Sequence, residues 1–134
     1  MKILSFGATL KVDDNLFKKL PDDAPEGYVQ GVVDKYKKFI DDPKISKILG
    51  DDTIELSRAK MKGYSGYSVS LRISSPNSDD VFEGGIFTNK KDVSHFRFSE
   101  LMRQTYQYIF CKLGVPEKFN YFWYKATRKS PETK

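Results

Sequence analysis

The sequence predicts an α+β fold: an antiparallel β-sheet packed against helices on one face, in the order β-α-α-β-β-β-α-β. Three observations carry this. Tyr67, Val69, Leu71 and Ile73 alternate with Ser68, Ser70, Arg72 and Ser74, the period-two pattern of a half-buried strand. Residues 29–40 and 98–113 repeat apolar side chains at helical spacing. The strand-like segments follow one another, with helical ones before and after, which suggests α+β.

Each element has its own signal. Leu4, Phe6, Ala8, Leu10 and Val12 share one face at period two, with Ser5, Thr9 and Lys11 on the other, and predict one strand. Asp23, Pro25 and Glu26 then resemble a helix start: a cap, a first-turn proline and a capping-box carboxylate. The helix that follows lines up Val29, Val32, Val33, Tyr36, Phe39 and Ile40. Asp42-Pro43 restarts a short helix with Ile45, Ile48 and Leu49, and Gly50 ends it. Thr53 to Met61 is the next strand, Gly63-Tyr64-Ser65-Gly66 the turn, and 67–73 its partner. Ser75 to Asp80 breaks the pattern, and Val81 to Phe87 forms a third strand in which Gly84-Gly85 predicts a bulge or a close contact. A long helix from about Phe96 to Leu113 sets Phe98, Leu101, Met102, Tyr106, Ile109, Phe110 and Leu113 on one arc, opposite Arg97, Glu100, Arg103, Gln104 and Gln107. Gly114 and Pro116 stop it. Residues 119–124, five aromatics in six positions, predict a last strand. Residues 1–129 are read as one domain and 130–134 as a loose tail.

Composition excludes several function classes. The chain has 134 residues, 39% hydrophobic and 31% charged, enough apolar content for one core. No apolar run has the length of a membrane span, and the first residues lack the apolar stretch of an export signal, so a cytoplasmic protein is expected. One cysteine, Cys111, excludes a disulfide framework within the chain, and one histidine, His95, excludes a His-rich metal site. The aspartate pairs at 13/14, 22/23, 41/42, 51/52 and 79/80 fall in loops and at helix starts, where capping explains them. There is no Walker A motif, EF-hand spacing, Cys-x-x-Cys or Gly-x-Ser-x-Gly elbow. Cys111 and His95 stand at opposite ends of one helix, too far apart to act as a catalytic pair. No cofactor and no catalytic residue is predicted.

Charge is distributed unevenly. Residues 1–56 hold nine Lys/Arg against eleven Asp/Glu, whereas residues 57–134 hold fourteen against seven. A basic half attracts nucleic acid, an acidic protein or an anionic surface. Within it, Arg58, Lys60 and Lys62 fall on one face at period two beside Tyr64 and Tyr67, a spacing suited to phosphates and stacked bases. Lys90 and Lys91 precede the long helix, whose free N–H groups add to a phosphate site. The plain alternative is a solvated hairpin and a lysine-bearing loop.

The order helix, three antiparallel strands, helix over residues 43–113 resembles that of the double-stranded-RNA-binding domain. In that family a lysine pair before the last helix holds phosphates, and Lys90-Lys91 stand in a similar place. The final helix departs from the family's alanine-rich pattern, with Phe98, Tyr106, Tyr108 and Phe110 instead. In the aromatic end, Tyr121, Trp123 and Tyr124 with Lys125 and Arg128 match the composition of interface hot spots. The expectation is therefore a non-enzymatic binding or inhibitor protein that occupies a macromolecular partner, a profile shared by nuclease inhibitors, immunity factors and mobile-element anti-defence proteins. A protein partner is expected first, and RNA or DNA binding is the alternative.

Overall fold

The alternation written into residues 2–12 is used twice. The computed structural model, which describes residues 2–6 and 8–114, forms two strands there instead of one: β1 (Lys2–Phe6) and β2 (Ala8–Val12). They pair antiparallel from Phe6↔Ala8 to Lys2↔Val12. This register sets even positions opposite even ones, so the period-two pattern runs unbroken through both strands and hides the pairing from sequence inspection.

After β2 the chain makes a 3-10 turn at Asp14–Phe17, then α1 (Tyr28–Asp41) and α2 (Pro43–Leu49), before returning as β3 (Thr53–Arg58). This helical crossover lays β3 parallel to β2, from Thr9↔Thr53 to Val12↔Leu56. β3, β4 (Val69–Ser74) and β5 (Val81–Ile86) then form an antiparallel meander. The sheet has order β1-β2-β3-β4-β5 and is mixed, not wholly antiparallel as the sequence suggested. The last helix, α3 (Phe98–Lys112), follows a 3-10 turn at Val93–His95. The strand expected at 119–124 and the tail at 130–134 lie outside the described residues.

Leu10, Ile54, Leu56, Leu71, Ile73 and Phe82 project from one side of the sheet into a core closed by Val32, Val33, Tyr36 and Ile40 of α1 and by Leu101 and Ile109 of α3. The other side carries Thr9, Lys11, Glu55, Ser57, Ser70, Arg72 and Glu83, all half-buried or exposed. Among the described residues no helix is long and apolar enough to cross a membrane.

Two details depart from the sequence reading. Helix α1 starts at Gly27, in the left-handed region with φ of 74°, instead of at Asp23. Residues 21–28 close two turns first, Ala24 N to Pro21 O and Tyr28 N to Pro25 O, which use up the segment that looked like a capping box. Helix α3 is rotated from its expected arc: Gln104, Thr105 and Gln107 are buried, while Tyr106 and Leu113 are exposed. Polar partners account for the first two, whereas the buried Gln107 Oε1 has none among the described residues. The Gln104 amide donates to Gly85 O at 2.9 Å and to Glu100 at 2.9 Å, and Thr105 Oγ1 shares a hydrogen with Tyr36 OH at 2.6 Å. A Cβ on Gly84 would stand 2.5 Å from Gln104 Oε1, so this glycine is a close contact between sheet and helix, and the register through β5 contains no bulge. The displaced aromatics form an outer row, with Phe39 edge-on to Tyr106 at 5.3 Å and Tyr106 stacked on Phe110 at 5.8 Å.

The end of α3 is pinned by a buried charge. Asp52, 1% exposed, accepts from Tyr108 OH at 2.5 Å and from Lys112 Nζ at 2.8 Å. Lys112 also donates to Leu49 O at 3.2 Å. Burial and the adjacent carboxylate both raise the Tyr108 phenol above its ordinary pKa.

Candidate functional site

The register of the meander brings three distant segments to one end of the sheet. β3 ends at Arg58, which faces Val69 at the start of β4, and Val69 faces Ile86 at the end of β5. The 59–68 loop and the 87–92 segment therefore leave the same edge, and they bond to each other. Gly66 N donates to Thr88 O, Tyr67 N to Lys90 O and Ser65 N to Asn89 Oδ1, all within 3.0 Å. Gly66 is required here because a Cβ would stand 2.1 Å from Lys90 O. The third segment is the turn after β2. Asn15 Oδ1 accepts from Arg58 N at 3.0 Å, Lys18 O accepts from Arg58 Nη1 at 2.8 Å, and Leu16 O accepts from Tyr67 OH at 2.6 Å.

Between these segments lies a concavity of about 210 Å3, lined by Lys19, Arg58, Ser65, Gly66, Tyr67 and Lys91, with Pro21 at its edge. The Arg58 guanidinium sits 4.2 Å over the Tyr67 ring, held from below by the aromatic face and from the side by the Lys18 carbonyl. Its buried Nε has no hydrogen-bond partner. Burial pushes the Tyr67 phenol up to about 12, against the opposing pull of the Arg58 charge. Lys19 is the one described non-glycine residue with positive φ, 55°, a conformation that costs on the order of 1–3 kcal/mol and is held only where its surroundings enforce it. Among the described residues no carboxylate lines the concavity, and no ion pair engages Lys19, Arg58 or Lys91.

The structure thus gathers three of the seven residues that the sequence offered for nucleic-acid contact: Arg58, Tyr67 and Lys91. Arg58, Lys60 and Lys62 do not share a strand face, because β3 ends at Arg58. Lys60 and Lys62 are exposed beyond it, around a small turn in which Met61 bridges Tyr64 and Gly63 has φ of 91°. Met61 and Tyr64 are exposed at its tip, with Tyr64 leaning on Phe87 at 6.1 Å. Tyr67 is 2% exposed, so its ring supports Arg58 and is closed to a stacking base. Lys90 is exposed and outside the concavity. The lysine pair does not sit on the N-terminus of α3 either: the 3-10 turn at Val93–His95, capped by Asp92, intervenes, and α3 is entered from Arg97. Tyr121, Trp123, Tyr124, Lys125 and Arg128 lie outside the described residues.

Lys19, Ser65 and Gly66 were not recognised from sequence. Lys18-Lys19 before Pro21 is an ordinary polar run, and only the contacts of Asn15, Leu16 and Lys18 with the β3–β4 hairpin bring it near. Elsewhere, Cys111 is half-buried and its thiol is pushed up to about 12 by that burial, the opposite of an activated nucleophile. Among the described residues no three His, Cys, Asp or Glu side chains group as metal ligands. No known family model matches the chain, and comparison with curated proteins and with solved structures finds no significant match.

Proposed function

We propose that the protein is a non-enzymatic binding protein that acts by occupying an anionic macromolecular partner, gripped at the cationic end of the sheet. The observation that carries this reading is the convergence of Lys19, Arg58 and Lys91 on one concavity whose lining, among the described residues, holds no carboxylate. Like charges brought together repel, and an anion from outside relieves that repulsion. Lys60, Lys62 and Lys90 extend the charge outward, and the exposed Met61 and Tyr64 add an apolar tip to it. Exposed Tyr and Met are residue types enriched at protein interfaces, the surrounding lysines suit electrostatic steering of a negatively charged surface, and we take an acidic protein as the partner.

A second reading, duplex nucleic acid, draws on a different observation. The two basic segments, 59–68 and 87–92, leave the same edge of the sheet, so their lysines can face one backbone together. Against it, Tyr67 is closed to a base and the cations line a concavity instead of a stripe.

The deciding experiment is capture from native-host lysate with and without nuclease, followed by titration of the captured partner at two salt concentrations. The protein reading expects nuclease-resistant capture that Lys60→Glu with Lys62→Glu slows in association. Nuclease-sensitive capture, with duplex affinity falling steeply with salt, would move the assignment to the second reading.

A further inference from the structure

The concavity is more particular than a basic patch. Three cationic residues line it from three segments that are far apart in sequence: Lys19 after the turn that follows β2, Arg58 at the end of β3 and Lys91 in the segment after β5. Ser65 adds a hydroxyl. Arg58 is fixed before any ligand arrives, by the Tyr67 ring beneath it and by the Lys18 carbonyl on Nη1, so little of its freedom remains to be lost on binding. Lys19 is held in a left-handed conformation at the rim. The volume, about 210 Å3, suits a compact group and is small for a nucleoside or a drug-sized molecule.

We infer that this concavity is a binding site for a phosphate monoester dianion. The inference rests on the reading of the cationic end as the contact surface, and it names the group that enters there. The choice over a carboxylate follows from charge and donor count. A carboxylate brings one charge and two oxygens to three cations. A phosphate monoester at neutral pH brings ~1.5–2 charges and three strong acceptor oxygens, enough to meet an arginine, two lysines and a hydroxyl together. A nucleic-acid backbone diester, with one charge, matches the site no better than a carboxylate does. In keeping with the protein partner proposed above, the group is a phosphorylated side chain; preference for a phosphorylated strand end is the outcome that would overturn that source.

The test uses the full chain and two matched small probes, O-phosphoserine and aspartate, titrated at constant ionic strength and followed through backbone amide resonances. O-phosphoserine is expected to shift Ser65, Gly66 and Lys91 in a saturable way, with aspartate at least ~10-fold weaker. Binding is expected to weaken from pH 7.5 to 5.5, as the dianion with its second pKa near ~6 takes up a proton. Lys19→Gln with Lys91→Gln, both on exposed side chains, is expected to lower phosphoserine affinity at least ~10-fold with an unchanged thermal midpoint. Equal binding of the two probes, or affinity unaltered by the double variant, would overturn the inference. The source of the group is read by comparing a phosphoserine peptide with a 5′-phosphorylated oligonucleotide. The two levels fail separately. Loss of phosphoserine binding in the double variant with partner capture intact would keep this site and remove it from the partner contact. Probe binding that fails outright, with capture still lost in Lys60→Glu/Lys62→Glu, would remove the site and keep the partner reading.

Discussion

Two places in this protein set lysine beside a buried tyrosine, and they differ in what the lysine meets. At the end of α3, Lys112 and Tyr108 both donate to the buried carboxylate of Asp52, 2.8 and 2.5 Å away. At the end of the sheet, Lys19, Lys91 and Arg58 line one concavity with Tyr67, and among the described residues no carboxylate lines it. The first arrangement is closed: every charge has its counter-charge inside the chain, and the cluster holds α3 against the α2–β3 connection. The second is open among the described residues, and on the reading proposed here its counter-charge comes from a ligand. Charged groups of the same kinds form a brace in one place and, on the reading proposed here, a receptor in the other, and compensation is what separates them.

The largest expected effect comes from adding an uncompensated charge to the core. Ile109→Asp, 2% exposed, or Leu71→Asp, fully buried, places a carboxylate among apolar neighbours and is expected to cost about 3–5 kcal/mol. Chemical denaturation should show this as a lower midpoint at unchanged slope. A wild-type midpoint in both variants would mean that these positions are not core.

Breaking the brace itself comes next. Asp52→Ala leaves Tyr108 OH without its acceptor and Lys112 without its counter-charge. Because the Lys112 side chain is 34% exposed and can turn to water, the cost is expected near the lower end of the range for a broken buried pair, about 3 kcal/mol. Asp52→Asn keeps an acceptor for the phenol and should recover part of that loss. Equal losses in the two variants would show that the charge, not the hydrogen bond, carries the contact.

Alkaline pH separates the two tyrosine sites by degree. The Tyr67 phenol is pushed up to about 12, and burial raises Tyr36 and Tyr108 as well. A phenol that ionises later in the folded than in the unfolded chain contributes stability that is complete below the unfolded value, about 10, and is lost as pH rises toward the folded one. Thermal midpoints are therefore expected to hold up to about pH 10 and to fall between about 10 and 12. Tyr67→Phe should flatten part of that fall. A midpoint independent of pH in this window would mean that these hydroxyls reach water.

The comparison also marks how far sequence alone reaches. The β4 alternation, the α2 cap at Asp42 with its Gly50 stop, and the helix-strand-strand-strand-helix order over residues 43–113 were legible because local spacing encodes them. The pairing within residues 2–12 was not, since its register sets even positions opposite even ones. The mixed sheet was not, since nothing local states which strand β3 joins. The true face of α3 was hidden because Gln104 and Thr105 are buried through partners on β5 and α1 that no helical period encodes. At the site, Arg58 and Lys91 stood out as charges, but Lys19 did not, because its place depends on contacts from Asn15, Leu16 and Lys18 to the distant hairpin.

The smallest expected effect bears most directly on the central claim that the open cations await a ligand and do not hold the fold. The measurement is the thermal midpoint of the wild type and of Lys19→Gln/Lys91→Gln, each with and without phosphate at matched ionic strength. Without phosphate, the double variant should melt at or slightly above the wild-type midpoint, because removing two of three clustered cations relieves repulsion and breaks no ion pair among the described residues. With phosphate, only the wild type should gain, by an amount that grows with the logarithm of ligand concentration above its Kd. A double variant that melts well below the wild type without phosphate, or that gains as much from phosphate, would contradict the account.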